Sequence, residues 1–290
     1  MNSNIKIKPF LKWAGGKSQL LPHIRDFFPS DIKNADTYIE PFVGGGAVLF
    51  HILDNYHGIK NIVINDINPR LINTYVILRE NPLDLVSILE KLQRQYWKLS
   101  MEEQRQFYLE QREYFNSGGA KRTELAALFI FLNKTCFNGL YRVNKSGMFN
   151  VSFGQYQKPL ICNRELIIRL SKLLRKVTIL NGDYAHTIAS FRGNTFVYFD
   201  PPYRPVSQTS DFTTYSSDGF DETQQKRLAC FCRLLDFDSK WMLSNSCPTD
   251  DNFFNEHYST YKIRKIEARR SIGAISASRV KIRELLITNY

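Results

Sequence analysis

The stretch from Thr37 to Ile67 restricts the fold more than any other part of the chain. Thr37–Val43 is a short β-rich run that ends in three glycines, Gly44, Gly45 and Gly46. Ala47–Tyr56 then has a helical apolar pattern, and Asn61–Ile67 is a second short apolar strand. Strand, helix and strand in so few residues make a βαβ unit, whose strands must run parallel. The alternation returns from about Arg164. Strands are expected at Val177–Leu180, Thr195–Asp200 and Lys240–Ser244, a helix at Glu222–Leu235, and final strands near Tyr261–Glu267 and Glu284–Asn289. Ahead of the first strand, Lys17–Phe28 carries Leu20, Leu21, Ile24, Phe27 and Phe28 at helical spacing and stops at Pro29.

The middle of the chain has another character. From about Pro69 to Thr135 the pattern is helical, with long polar stretches such as Glu102–Glu113 and a break at Ser117-Gly118-Gly119. Phe137–Tyr156 is rich in Asn, Gly, aromatic and basic residues, and Arg142–Phe153 around Ser146-Gly147 reads as a β-hairpin. The simplest organisation is one α/β domain, 1–68 with 163–290, interrupted by a helical insert at 69–162. The insert, roughly ninety residues long, has the size of a small domain.

Charge points to a partner. The net charge is +11 over 290 residues, and it is not evenly spread. Residues 121–176 hold eleven Lys/Arg against two Asp/Glu, and residues 257–290 hold eight against two, so the rest of the chain is slightly acidic. Two basic segments fit a surface for a polyanion such as nucleic acid. No apolar run reaches the ~18 residues needed to span a bilayer, and the first residues lack the apolar core of a signal peptide. Five cysteines without a C-x-x-C pair indicate neither a zinc ribbon nor a disulfide framework. Reduced thiols and a cytoplasmic location are expected. The five histidines show no metal-ligand spacing, so no metal is expected.

Three segments carry chemistry. Glu40-Pro41-Phe42-Val43-Gly44-Gly45-Gly46 closes a strand and opens a helix, and Asp66 ends the next strand twenty positions after Gly46. Glycines let a ligand approach the backbone, and an acid at that distance can accept hydrogen bonds from ribose hydroxyls. A tight turn with a helix cap would read the same way, and the dinucleotide pattern G-x-G-x-x-G is absent. Trp13-Ala14-Gly15-Gly16-Lys17 fails the phosphate-loop spacing. It suits a carboxylate-bearing ligand at a helix start, or a helix lead-in with a surface lysine.

The most specific segment is Thr195-Phe196-Val197-Tyr198-Phe199 running into Asp200-Pro201-Pro202-Tyr203. The prolines remove two backbone donors and stiffen the turn. The Asp200 carboxylate and the Pro201 carbonyl remain as acceptors beside an aromatic face. Two acceptors take the two N–H bonds of an exocyclic amino group while its ring stacks on Tyr203. An aromatic amine is a weak nucleophile because its lone pair is delocalised. The acceptors pull the nitrogen toward pyramidal geometry and stabilise the positive charge that develops as a methyl group arrives.

Together these segments resemble the Dam-like family of DNA adenine-N6 methyltransferases. The markers are Phe10-Leu11-Lys12-Trp13-Ala14-Gly15-Gly16-Lys17, Glu40–Gly46, Asn65-Asp66-Ile67-Asn68, Phe137-Asn138-Gly139-Leu140-Tyr141-Arg142 and Asp200–Tyr203, and they cover almost the whole chain. The resemblance implies a Rossmann-like α/β fold with a mostly parallel seven-stranded sheet, a reversed last strand, and an inserted target-recognition domain. It implies S-adenosylmethionine as methyl donor, with Trp13, Ala14, Gly15, Lys17, Phe42, Gly44, Gly46, Asp66, Asp183, Tyr184 and Asp200 at the donor. Asp200, Pro201, Pro202 and Tyr203 would be catalytic and hold a flipped adenine, within GATC in double-stranded DNA. Lys12, Asn138, Leu140, Arg142, Asn144, Ser152 and Gln155 would contact DNA, with Arg142 on guanine, Leu140 as a wedge or thymine contact and Lys12 at the outer base pair.

Ser152 and Gln155 stand where the family usually has Pro and a basic residue, which loosens the expectation of strict GATC specificity. Arg269, Arg270, Arg279 and Lys281 suit phosphates, and Ser207–Phe220 reads as a loop closing over the flipped base. The chain is expected to act as a monomer, and pairing with a restriction endonuclease fits the resemblance. Two other classes compete with this reading. Amino methylation of cytosine N4, RNA adenine or a protein glutamine is disfavoured by Asp200 and by the recognition hairpin. A DNA-binding module without activity is disfavoured by the intact motifs.

Overall fold

The computed structural model describes residues 7–205, 220–248, 252–269 and 281–290. Seven strands, β1 (Thr37–Glu40), β2 (Asn61–Asp66), β3 (Val177–Asn181), β4 (Thr195–Phe199), β5 (Ser239–Ser246), β6 (Lys262–Arg269) and β7 (Lys281–Thr288), form one sheet in the order β3-β2-β1-β4-β5-β7-β6. β1 is parallel to β2 and β4, and β4 is parallel to β5. β7 runs antiparallel to both β5 and β6. The mostly parallel sheet with a reversed last strand is therefore present. β1 and β4 are buried along their whole length, so they read as continuous apolar runs without alternation. β1 ends at Glu40 and not at Val43, because Pro41 has no N–H to offer the ladder.

Among the described residues the α-helices are α1 (Leu21–Arg25), α2 (Ala47–Asn55), α3 (Pro69–Glu80), α4 (Pro82–Tyr96), α5 (Met101–Asn116), α6 (Arg122–Thr135), α7 (Arg164–Leu174), α8 (Glu222–Leu234) and α9 (Phe253–Tyr258). The chain divides into two compact units. The first holds the residues up to Gly16, Gly44–Asn55 and Asn65–Asp183; the second holds Lys17–Val43, Tyr56–Ile64 and Tyr184–Tyr290.

In the first unit α6 is central. Every residue from Ala126 to Asn133 is buried, and the helix packs on α3, α4 and α5. A helix apolar all round must lie inside a bundle. α3 is capped by Asn68, whose side chain accepts from the Arg70 and Leu71 amides, and α5 opens with a Ser100/Glu103 capping box.

The expected hairpin at Arg142–Phe153 departs from regular strands. Its pairing reduces to isolated antiparallel bridges, Val143 with Phe149 and Cys136 with Phe153. The facing arms are joined by the Asn144 amide on the Met148 carbonyl and the Asn150 amide on the Arg142 carbonyl, and side chains of α5 hold the outer edge of the returning arm. Asn116 donates to the Phe149 carbonyl and accepts from its amide, both at 2.9 Å. Tyr108 and Arg112 both donate to the Val151 carbonyl. The following segment is held in the same way, with Tyr96 on the Tyr156 carbonyl, Gln104 on that of Gln157, and Gln93 accepting from Ile161 and Cys162. Backbone polar groups must be paired somewhere when half-buried, and here the partners are side chains.

In the second unit the first helix is shorter than the periodicity of Lys17–Phe28 predicts. Only Leu21–Arg25 is α-helical, with Pro22 in its first turn. A proline lacks the donor that would continue a helix from Lys17. The core here is aromatic: Phe28 meets Phe196 edge-on at 5.5 Å, and Trp241 meets Tyr261 at 4.7 Å.

Gly46 opens α2 with φ +73°, and a Cβ there would run into the Tyr75 hydroxyl and lie 3.0 Å from the Phe50 ring. Gly118 has nearly the same backbone, φ +75°, but open space around it. Gly118→Ala should cost about 1 kcal/mol from the left-handed backbone alone, and Gly46→Ala about 3 kcal/mol because overpacking adds to it. Equal urea midpoints for the two variants would show that the Tyr75 contact imposes nothing.

Candidate active site

Two groups of candidate site residues stand out, one in each unit. In the first unit the Gly44–Gly46 turn meets the end of β2. The Gly44 amide donates to Asp66 Oδ2 and the Asn68 amide to Asp66 Oδ1, each at 3.0 Å. Two backbone donors hold the carboxylate in one orientation. Asn65 donates to the Gly182 carbonyl, and Asn181 and Gly182 donate to that of Asp66, so the ends of β2 and β3 are tied together just before Asp183.

Trp13 lies against the same turn: a Cβ on Gly44 would sit 2.8 Å from its indole nitrogen, and Gly44 has φ +47°. Only glycine fits such a close approach. The indole stacks on Tyr141 (5.9 Å, 17°) and Phe129 (6.3 Å, 28°), so the ring is already a packed platform.

The second unit holds the ionised residues. Asp200 follows the buried strand β4 and keeps 20% of its side chain exposed, whereas Lys17 is 3% exposed. The Lys17 ammonium is 2.7 Å from Asp200 Oδ1 and 3.8 Å from Glu284 Oε2, and it lies 4.5 Å over the Tyr203 ring. The Tyr203 hydroxyl donates to Glu284 Oε2 at 2.6 Å. Lys17 is thus buried, with no surface role. Burial pushes the Asp200 and Glu284 carboxyls up, and the Lys17 ammonium opposes both shifts. Burial also pushes the Tyr203 hydroxyl far up, and it remains a donor.

The turn itself is braced from α8 and β5. Gln225 donates to the Pro202 carbonyl at 2.8 Å, Asn245 accepts from the Arg204 amide, and Ser246 donates to the Arg204 carbonyl. Beside it Phe42 packs on Tyr184 at 5.2 Å and on Phe220 at 5.6 Å.

The residues expected on DNA are exposed or half-exposed in the first unit. Lys12 is anchored through its backbone by Asn133, which accepts from its amide and donates to its carbonyl and to that of Gly139. Its ammonium lies 4.6 Å over Tyr156. Asn138 has a left-handed backbone, φ 55°, as does Gln155, φ 56°. Leu140 is half-buried, while Ser152 is exposed. Arg142 donates through Nε and Nη2 to the side chain and carbonyl of Asn150. Asn144 caps the tight turn by accepting from Ser146 and Met148. A groove of about 630 Å³ is lined by Lys8, Lys12, Lys134, Gln155, Tyr156 and Lys158 among others. Burial beside Lys12 and Lys8 brings the Lys134 ammonium down to about 8.

Arg269 ends β6, but its side chain, Arg270, Arg279 and the loop at 207–219 lie outside the described residues. Among the described residues no group of His, Cys, Asp or Glu could hold a metal ion, and no helix is long and apolar enough to cross a membrane. Glu284, Asn133 and Asn150 stand out as site residues only in the folded structure. Glu284 has one signal, a lone acid directly ahead of the apolar run Leu285-Leu286-Ile287 in the last strand.

The mostly parallel sheet with its reversed last strand carries the Asp200–Tyr203 turn at the end of a buried strand, beside an aromatic ring. The sequence pattern of the D12 class N6 adenine-specific DNA methyltransferases matches residues 13–272, and the chain belongs to that family. It is 44% identical to the type II methyltransferase M.MjaIII of Methanocaldococcus jannaschii, over 99% of this chain and 100% of that one. It is 40% identical to the type II methyltransferase M1.LlaDCHI of Lactococcus lactis subsp. cremoris, over 99% and 97%. To the DNA adenine methylase of Serratia marcescens it is 36% identical, over 97% and 98%. The protein is an adenine-specific DNA methyltransferase, and its reaction requires a methyl donor.

One buried cation between two carboxylates makes a stability prediction. Lys17→Met should destabilise the protein by about 3 kcal/mol near pH 8, because both carboxylates lose their counter-charge. Their raised pKa means that the folded state binds more protons than the unfolded, so stability falls as pH rises. The deficit should therefore shrink toward about pH 5, nearer the ordinary carboxylate range. A deficit in urea unfolding that is the same at both pH values would remove the carboxylates as its cause.

Proposed function

We propose that the protein transfers a methyl group from S-adenosylmethionine to the N6 amino group of adenine in double-stranded DNA, with the target base flipped out of the helix, and that the target lies in GATC. One observation carries the reading. Asp200, at the end of a buried strand, keeps a reachable carboxylate beside an aromatic ring whose position is set by Glu284.

The donor fits the residues present. Asp66, oriented by two backbone amides, is the acceptor for ribose hydroxyls. Gly44 leaves room where a Cβ would collide with Trp13. Trp13, Ala14, Gly15, Lys17, Phe42, Gly44, Gly46, Asp66, Asp183, Tyr184 and Asp200 are the residues assigned to it. When bound, S-adenosylmethionine supplies an electrophilic methyl group on a sulfonium.

The chain's own part is electrostatic. The Asp200 carboxylate and the Pro201 carbonyl accept the two amino hydrogens, Pro202 stiffens the turn, and Tyr203 stacks on the base. As the nitrogen acquires positive charge, the preformed carboxylate stabilises it without reorganisation.

On the DNA side, Arg142 reads guanine. Asn150 already holds two of its donors, which leaves the end of the fork for O6 and N7. Lys12, Asn138, Leu140, Asn144, Ser152 and Gln155 complete the contact surface in the first unit, with Arg269 and Arg270 on phosphates from the second. Exposed Ser152 supplies no apolar contact for a thymine methyl, which relaxes discrimination at that base, and Gln155 supplies no charge for a phosphate. The names of the type II relatives favour pairing with a restriction endonuclease, and the protein acts as a monomer.

Incubation with unmethylated duplex DNA and labelled donor should yield N6-methyladenine, and sequencing of modified bases should place it in GATC. Asp200→Ala should lower the single-turnover rate at least ~10³-fold, the scale of losing a main transition-state contact, while sparing most donor affinity. Labelled cytosine, or a variant that still turns over, would sink the assignment.

The lysine groove makes a second prediction. With Lys134 losing its proton near 8, DNA affinity of the donor-free protein should fall as pH rises from about 7 to 9. Lys134→Met should flatten that dependence; an unchanged profile would take Lys134 off the DNA.

A further inference from the structure

We propose that Glu284 is a positioning residue for methyl transfer: from β7 it anchors the Tyr203 ring through its hydroxyl and shares the Lys17 ammonium with Asp200, so that the acceptor cluster carries a net negative charge. This rests on the reading that Asp200 and Tyr203 receive the target adenine.

The geometry gives Glu284 two distinct tasks. The 2.6 Å bond from the Tyr203 hydroxyl fixes the ring at its far end, while the prolines fix it at the backbone. A ring held at both ends is a preformed stacking face. The second task concerns charge. Lys17 lies in hydrogen-bond contact with Asp200 at 2.7 Å and is itself almost fully buried. Alone, that pair would be neutral and a poor partner for a nitrogen gaining positive charge. Glu284, 3.8 Å from the same ammonium, adds a second carboxylate to one cation. With both ionised the cluster carries one net negative charge in a poorly solvated place, where electrostatic effects are strongest.

Among the described residues, the titratable groups facing Glu284 are Lys17 from the segment before α1, Asp200 and Tyr203 after β4, and Tyr198 within β4. Its partners across the sheet, Ser246 on β5 and Ile266 on β6, are uncharged. Asp200 raises the Glu284 carboxyl, and coupling between two charges is reciprocal. Removing the Glu284 charge must therefore let Asp200 ionise at lower pH.

The test compares the full-length protein with Glu284→Gln and Glu284→Ala in single-turnover methylation of duplex DNA from about pH 5 to 9, with saturating donor. Glutamine keeps an acceptor for the Tyr203 hydroxyl but removes the charge. Glu284→Gln should fold, bind DNA as the wild type does, react about 10-fold more slowly at neutral pH, and show its acid limb moved to lower pH. Glu284→Ala also frees the ring, so its rate should fall further and its KM for DNA should rise. A merely structural Glu284 would leave the acid limb of Glu284→Gln in place, and that result overturns the proposal. If the alanine variant does not fold, the glutamine variant decides. A wild-type protein that places no methyl on adenine overturns the functional reading and this inference together. An active wild type matched in rate and pH profile by Glu284→Gln overturns the inference alone.

Discussion

One buried ammonium organises the second unit. Lys17 sits almost wholly out of water against Asp200, with Glu284 a further ångström away and the Tyr203 ring beneath it. A lone buried charge would be very costly, so the chain that precedes α1, the turn after β4 and the last strand must meet at this point. The reversed strand β7 completes the sheet next to β5, and it also delivers the carboxylate that holds the Tyr203 ring. In the proposed reaction, the same cluster that constrains the fold supplies the electrostatics.

The first unit follows a different logic. Its irregular segment from Phe149 to Cys162 is held by side chains of α4 and α5, which reach its backbone amides and carbonyls. Such anchoring presents a loop to a partner without giving it a regular ladder. It leaves Arg142, Asn144 and Ser152 exposed on a backbone that is itself well satisfied. Asn133 does the same for Lys12 and the Phe137–Gly139 turn.

Much of the fold was legible because local rules act alone there. Buried parallel strands such as β4 read as apolar runs, and the break between α5 and α6 falls at Ser117-Gly118-Gly119 as its turn residues require. The errors have equally local causes. Pro41 shortens β1 and Pro22 shortens α1, since neither residue has an amide hydrogen for the pattern that apolar spacing implied. The returning arm of the hairpin is held by Asn116, Tyr108 and Arg112, residues more than thirty positions away that no turn signal could announce.

Sequence alone determined the order of strands and helices, the acceptor turn Asp200–Tyr203, and the glycine turn with Asp66, because each depends on neighbours along the chain. Tertiary structure decided where the charges go. Lys17, legible only as a residue near a ligand, turned out to be the buried counter-ion of Asp200, and Glu284, a single acid ahead of an apolar run, turned out to hold Tyr203. The reason is physical. A hydrogen bond or ion pair between residues 81 or 183 positions apart leaves no periodicity in sequence, and only the folded sheet brings its partners within reach.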